Sequence, residues 1–527
     1  MQKIKCTRYV LVFLFWTALN VFSLLHAQSL DESSSINLSE QEITRLKAIL
    51  DQPIDPNSLK STLIEIYKQK EVAAWRLGDE VKREELLREW AQVDPGARWI
   101  LRNFLSMTPK RAEAYQIGHE LIKEIKYAPS AVRIRGIVAS NYIEDSNLKQ
   151  AGILLDECDA IIRNEWGRVP RQGQNAYWIV RAEMEHNLYK SSYLRRTGKW
   201  QEGIQAAKLA TSKGKDLIAI DSLVDLRERN YGRIWYVSSM TQLAANQSAA
   251  GLYAEADLTL REAYQFGKNN GFVDNQMLRI FNGVAWLRNA TGRFEDALAY
   301  SSRNERTVLA QGVQKGSPSW LHMQTPGILA LAGLDRWSEA AERYDAIDKE
   351  MERLKTRSPL AFQSWLRGPV YLHVGRYPQA KRIYENTLKW HVENFGENHY
   401  FTAYTRGMYA IALWRNGDPV GARTQFDQAI QNITSPDALT GDFTEDVFRR
   451  KGKKYIFQNY IELLAATADK DPKDAAIIFQ MADHLNSSSV QQALSDAAVR
   501  SGVNVPGLAD VIRKEQDAKN EAATLLS

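Results

Sequence analysis

Cysteine is nearly missing from this chain. Of two copies, Cys6 falls in an N-terminal leader and only Cys158 remains beyond it. No intrachain disulfide is therefore available to the mature chain, and core packing has to hold the fold. Proline is also scarce, with 15 copies in 527 residues that fall mostly between periodic segments. That distribution favours long helices joined by short turns over a sheet protein. An excess of one charge is lacking too: 68 Lys and Arg stand against 63 Asp and Glu, a net +5. Removing Lys3, Lys5 and Arg8 with the leader lowers this to +2. Nucleic-acid binding needs clustered positive charge. The one cluster, "RRKGKK" at 449–454, reads as the solvated start of a helix, so no nucleic-acid partner is expected.

Long hydrophobic runs are confined to the start. "MQKIKCTRY" supplies the basic residues, residues 10–25 are apolar, and "HAQS" follows. This is the three-part pattern of a secretory signal, with cleavage expected between Ala27 and Gln28. The expectation is a periplasmic or secreted protein; an uncleaved anchor is the alternative reading. The run is short for a membrane-spanning helix, and no Cys follows it to carry a lipid.

Catalytic signatures are missing as well. Neither G-x-S-x-G nor G-x-x-x-x-G-K-[ST] occurs, which removes the strand–elbow hydrolases and the phosphate-loop enzymes. Glu183 and His186 form a single E-x-x-H, where a bundle di-metal site uses two with further Glu residues. His391 and His399 flank "VENFGEN", with Glu393 and Glu397 between them, a spacing that fits no common metal-ligand pattern. Cys158 sits where a small core residue is expected. No cofactor and no metal are expected, and the chain reads as non-catalytic. The rival reading is a hydrolase or metal-dependent enzyme using Glu183, His186 or the His391–His399 loop inside a superhelix.

What the chain does have is a repeat. Aligned on a Gly, an aromatic two residues later and a small residue three further on, five units appear. They are Gly251/Tyr253/Ala256, Gly292/Phe294/Ala297, Asp335/Trp337/Ala340, Gly375/Tyr377/Ala380 and Gly417/Ala422, the last without its aromatic. The anchors step by 41, 43, 40 and 42 residues. Looser copies precede them at Gly198/Trp200/Gly203 and Ala151/Leu155/Cys158. Each anchor is expected where one helix ends in a left-handed turn that Gly, or an Asn/Asp substitute, tolerates. The small residues let a second helix approach the first. Leu260, Tyr344, Tyr384 and Phe426, one turn on, fill the space toward the next pair.

This spacing resembles the tetratricopeptide repeat, and the step near 42 with the loop "FGENHYFTA" is similar to the longer-helix variant of kinesin light chains. The Leu-Gly pair and terminal Pro of the standard unit are mostly missing. The resemblance implies an all-α, tetratricopeptide-like solenoid of antiparallel helix pairs over 59–466, after a signal at 1–27 and a flexible segment at 28–58. Such arrays carry a concave groove lined by the first helix of each pair. By register the groove candidates are Arg279, Asn282, Trp286, Phe362, Trp365, His373, Tyr404, Trp414 and Arg415. Aromatics with Arg on one surface suit a protein or peptide partner.

The tail from Phe479 to Ser527 resembles the helical connector of bacterial CHAT-domain proteins, in which repeats precede a caspase-like protease. The resemblance rests on Phe479 and Ala482, the polar stretch "NSSSVQQAL", Ala498 and Arg500, and the cadence Leu508, Ile512, Arg513, Gln516. It implies a C-terminal connector over 467–527 leading to a caspase-like domain, which is expected either on a separate chain as a partner, or lost, or beyond a truncated reading frame. No catalytic residue of that family transfers here. The expected role is the sensor or adaptor half of a CHAT-type system.

Overall fold

In the computed structural model, residues 39–310, 313, 315–354, 360–434, 447–466, 473–483 and 485 are described, and among them there is no strand. The signal expected at 1–27 and residues 486–527, which include Leu508, Ile512, Arg513 and Gln516, lie outside the described residues.

The helices run α1 Glu40–Asp51, α2 Lys60–Leu77, α3 Glu80–Val93, α4 Arg98–Leu105 and α5 Arg111–Glu124. Antiparallel pairs follow: α6 Ala128–Glu144 with α7 Leu148–Glu165, and α8 Gln174–Arg196 with α9 Trp200–Ala219. Next come α10 Leu226–Ala249 with α11 Tyr253–Asn269, and α12 Asp274–Ala290 with α13 Phe294–Ala310. The remaining pairs are α14 Pro318–Gly333 with α15 Trp337–Arg353, α16 Leu360–His373 with α17 Tyr377–Phe395, and α18 Tyr400–Arg415 with α19 Pro419–Ile433. Helix α20, Val447–Ala465, lies against α18 and α19. The architecture is an all-α solenoid of the tetratricopeptide type.

Every aligned anchor has positive φ: 77° at Gly251, 80° at Gly292, 58° at Asp335, 75° at Gly375 and 88° at Gly417. At each one the next amide reaches back five residues to close the helix end, as Leu252 N to Gln247 O at 2.8 Å and Arg336 N to Leu331 O at 2.9 Å. That is the Schellman closure, and its left-handed residue favours Gly. Asp335 is the non-Gly member anticipated from the alignment, and Ser146, at φ 60°, is another in the looser upstream copy. The anchor aromatics Tyr253, Phe294, Trp337 and Tyr377 are the first residues of α11, α13, α15 and α17. Ala256, Ala297, Ala340, Ala380 and Ala422 are fully buried, and Leu260, Tyr344, Tyr384 and Phe426 are buried one turn later. Cys158 is buried with its thiol on the Val132 carbonyl at 3.4 Å, and burial pushes it up to about 12.

Within the stretch 28–58, residues 40–51 form helix α1 in place of a flexible segment. Ser39 caps it by accepting from Glu42 N at 3.1 Å, Leu46 is buried, and the α2 residue Lys70 donates to the carbonyls of Leu50 and Gln52.

The solenoid winds tightly enough to touch itself. Trp75 of α2 stacks on Tyr231 of α10, ring centroids 5.0 Å apart. Arg83 of α3 donates to the same tyrosine's hydroxyl at 3.0 Å. Farther on, Trp390 Nε1 donates to Ser146 O at 3.1 Å, 244 residues away, and Phe401 meets Trp200 edge-on at 6.3 Å. Lys451 of α20 donates to Gly333 O, 2.9 Å away at the end of α14. These ties turn a concave groove into a walled lumen.

Candidate functional site

The lumen is a cavity of about 1860 Å³ lined from α2 round to α20. Its wall is built mainly from the first helices of successive pairs, and one pattern recurs on them. The positions i, i+3 and i+7 face inward as Ile137/Ser140/Glu144 on α6 and Tyr189/Ser192/Arg196 on α8. The pattern continues as Trp235/Ser238/Gln242 on α10, Arg279/Asn282/Trp286 on α12 and His322/Thr325/Leu329 on α14. That spacing is one stripe of an α-helix. Serine, threonine or asparagine holds the middle position each time, so the stripe stays polar between larger flanking groups.

A buried charge network forms part of the wall. Glu185, fully buried on α8, accepts from Arg133 Nε at 2.9 Å and from Arg181 Nε at 2.8 Å. Arg181 continues to Glu228. The Arg133 guanidinium lies 4.9 Å from the Trp99 ring centroid and 5.1 Å from that of Trp178. Burial alone raises the Glu185 carboxyl, but the charges of Arg133 and Arg181 outweigh it and hold it below its ordinary value. Nearby, Arg111 pairs with Glu144 at 2.8 Å and Asp145 at 3.1 Å.

Other lumen cations lack such partners. Among the described residues, Arg195, Arg196 and Arg279 make no ion pair, and the Nε atoms of Arg195 and Arg196 have no hydrogen-bond partner. Burial depresses all three guanidiniums, Arg195 to about 10, where Arg196 beside it adds to the effect. Arg279 leans over Trp235 at 5.8 Å. Arg279 and His322 line the lumen and are open to the solvent that fills it, so their desolvation comes from the surrounding wall. Burial lowers the His322 imidazole; Glu144 works against that, while Arg279, Arg196 and Arg195 reinforce it. Among the described residues, Tyr189 Oη, Gln242 Nε2 and Asn282 Oδ1 of the lumen also find no hydrogen-bond partner.

Of the groove candidates, Arg279, Asn282, Trp286 and Tyr404 line the lumen. His373, Trp414 and Arg415 do not line it. His373 is sandwiched between Trp337, at 3.8 Å, and Tyr455, at 4.5 Å. Arg415 stacks over Trp414 at 4.1 Å and bonds Asn459 at 2.9 Å and Glu462 at 2.7 Å. Packing of α20 across these pairs takes up the surface that register alone assigns to the groove. The side chains of Phe362 and Trp365 lie outside the described residues. Register also missed the inward face of α17, a second helix, whose Asn386, Trp390 and His391 line the lumen. Copying the Arg279/Asn282/Trp286 offset onto α6, α8, α10 and α14 was the signal that finds the rest.

The residues of the rival enzyme reading do not converge. Glu183 accepts from Trp166 Nε1 at 2.8 Å and pairs with Lys213 at 2.7 Å, whereas His186 Nε2 meets Asp159 at 2.8 Å. Neither lines the lumen. His391 bonds Thr405 at 2.8 Å and His399 caps α18, both among the rings of Phe395 and Phe401. Glu397 is held by Arg406. Among the described residues no group of three or more His, Cys, Asp or Glu side chains could hold a metal. No described helix is long and apolar enough to cross a membrane.

Residues 361–435 match the family model of the tetratricopeptide repeat, so α16 to α19 form a tetratricopeptide region. No curated protein matches the chain by sequence. Among solved structures, the hetero-tetramer Cut9–Hcn1 of the APC/C is 14% identical over 88% of this chain and 87% of that one, with a TM-score of 0.34. Yeast Tom70 is 11% identical over 83% and 94%, TM-score 0.36. A monomeric IFIT1 mutant with m7Gppp-AAAA is 12% identical over 86% and 94%, TM-score 0.29. Superposition is loose in all three, and what those proteins bind says nothing about this chain.

Proposed function

We propose that the chain is a non-catalytic scaffold that holds a segment of a partner protein inside its lumen. One observation carries this reading: a cavity of about 1860 Å³ whose inward stripe repeats on five successive first helices. Small-molecule pockets span about 300–1,000 Å³, so this space suits a peptide better than a metabolite. The unpartnered atoms of Tyr189, Gln242 and Asn282 favour the same ligand. Buried polar groups need partners, and an extended peptide supplies N–H and C=O groups at every residue. Trp235 and Trp286 offer the flat apolar surface on which such interfaces concentrate their energy.

The finer reading is an exported sensor or adaptor of a CHAT-type system, its tail contacting a caspase-like domain on another chain. What supports it is sequence: the three-part leader at 1–27 and the connector-like pattern from Phe479 onward. The test is a pull-down from the exported fraction using the mature chain beside a version ending near Asp469. A caspase-like protein recovered only with the full tail supports the CHAT reading. The same unrelated partner with both versions supports the scaffold alone. Recovery of nothing by either contradicts both.

A further inference from the structure

One seam of the lumen closes through a single loop. Residues 396–399 join α17 to α18, and the helix ends on either side of them meet two much earlier turns of the chain. Trp390, near the end of α17, donates to Ser146 O in the α6–α7 turn at 3.1 Å. Phe401, at the start of α18, meets Trp200 edge-on at 6.3 Å. In the α8–α9 turn just before Trp200, a Cβ on Gly198 would lie 3.7 Å from His399 Nε2. The same histidine caps α18, its Nδ1 accepting from Phe401 N at 3.1 Å. That bond requires a neutral ring with its proton on Nε2. Phe395 stacks on the imidazole at 4.8 Å and Phe401 tilts against it at 5.2 Å. One side chain therefore serves both the helix start and the seam.

A proton on Nδ1 opposes this arrangement in three ways. The imidazolium has two N–H groups and nothing left to accept the Phe401 amide. Its charge falls at the positive end of the α18 dipole. It is also drawn partly out of water, and burial already lowers the His399 imidazole. The face of Phe395 favours a cation, one contact against three losses. The acids on the elements that meet here are engaged or turned to solvent. Glu397 is held by Arg406, Glu144 and Asp145 by Arg111 at 2.8 and 3.1 Å, and Glu202 and Glu393 are exposed. Arg195, Arg196 and Lys199, from the end of α8 and the turn after it, add only positive charge, and His391 is bonded to Thr405.

We propose that His399 is a pH-sensitive latch: its neutral ring holds the α17–α18 loop against the α6–α7 and α8–α9 turns, and its protonation releases the loop and opens the lumen wall. The closed form binds the proton less readily than the open one, so closure is complete above the ordinary value of 6.5 and weakens as pH falls below it. Each pH unit below 6.5 shifts the balance toward the open form by up to about tenfold, until the closed form takes up the proton too. What opening regulates rests on the reading of the lumen as a peptide site; the opening itself does not.

The test is pulsed dipolar EPR on the full chain, with spin labels on cysteines placed at Gln150 and Asn394. Both positions are exposed, one turn beyond Ser146 and Trp390 respectively, and Cys158 is buried away from the reagent. The proposal expects one short distance at pH 8 and, at pH 5.5, a second, longer population, with helix content by circular dichroism unchanged. His399→Asn supplies an uncharged cap acceptor and is expected to keep the short distance at both pH values. His399→Ala, which removes the cap, is expected to show the longer population at both. His119→Gln, on exposed α5, is expected to open in acid as wild type does. An identical distance at pH 8 and 5.5 in wild type overturns the latch. So does acid opening that survives His399→Asn, which assigns the response to another group, or opening that comes with loss of helix. No ligand is present in this measurement, so the latch can fail while the peptide reading stands. A labelled partner peptide that stays bound equally well while the seam opens at pH 5.5 leaves the latch in place and counts against the lumen as its site.

Discussion

Glu185 is the residue whose loss the wall of the lumen should feel most. Replacing it with Gln keeps the shape and removes the charge that two buried arginines share. Arg181 retains Glu228, so the damage falls on Arg133, which is left with the faces of Trp99 and Trp178. Breaking a buried pair by removing one partner costs about 3–5 kcal/mol. With one arginine still paired, the lower end applies, about 3 kcal/mol. A solenoid does not unfold as one unit, so the readout is local: hydrogen exchange of the α8 amides. At 1.4 kcal/mol per decade, protection in α8 should fall roughly 100-fold. The double variant Arg133→Met/Glu185→Met should recover most of the loss, because an apolar pair in the same space leaves no orphaned charge. The acid dependence has a definite sign. The carboxyl is depressed in the folded state, so its contribution is complete above its ordinary value of 4.5 and is lost as pH falls through the folded value. Wild type and Glu185→Gln should therefore differ fully near pH 7 and converge in acid. Unchanged α8 protection in Glu185→Gln, or a double variant no better than the single, refutes this.

Three further outcomes follow from the packing. A Cβ at Gly136 would lie 2.7 Å from Tyr189 Cδ2; the clash, about 1–3 kcal/mol, exceeds the roughly 1 kcal/mol of helix propensity that Ala brings, so Gly136→Ala should destabilise α6 by hydrogen exchange. Gly292→Ala, at φ 80°, should cost about 1 kcal/mol in local stability, whereas Asp335→Gly at the equivalent turn should cost less than half as much, both read by urea titration of local exchange. Cys158 should react with a maleimide at pH 8 only after denaturant is added, since burial raises the thiol to about 12; rapid labelling of the native chain would contradict its place in the core.

The fold was readable because its punctuation is chemical. A left-handed turn needs Gly or a close substitute, so the anchors at 251, 292, 335, 375 and 417 announced the helix ends, even where Asp335 broke the pattern. The close approach of paired helices needs a small residue, and the five alanines mark it. The lumen was readable only in part. Arg279, Asn282 and Trp286 face it because their register on α12 is a local property. Trp414, Arg415 and His373 sit off the lumen because α20 packs across these pairs, which the register of their own helices does not encode. Trp390 and His391 enter from a second helix because the chain returns to Ser146. That closure reflects the sum of small rotations between pairs, which no single repeat encodes.

The central claim, that partners enter the lumen, is tested most directly by placing one photoreactive side chain at a time on the chain. Asn386 is exposed and lines the lumen, whereas Glu262 is exposed on α11 away from it. The account predicts that a probe at Asn386 crosslinks to a partner peptide and the same probe at Glu262 does not. Crosslinking from Glu262 alone would place recognition on the outer face and contradict it.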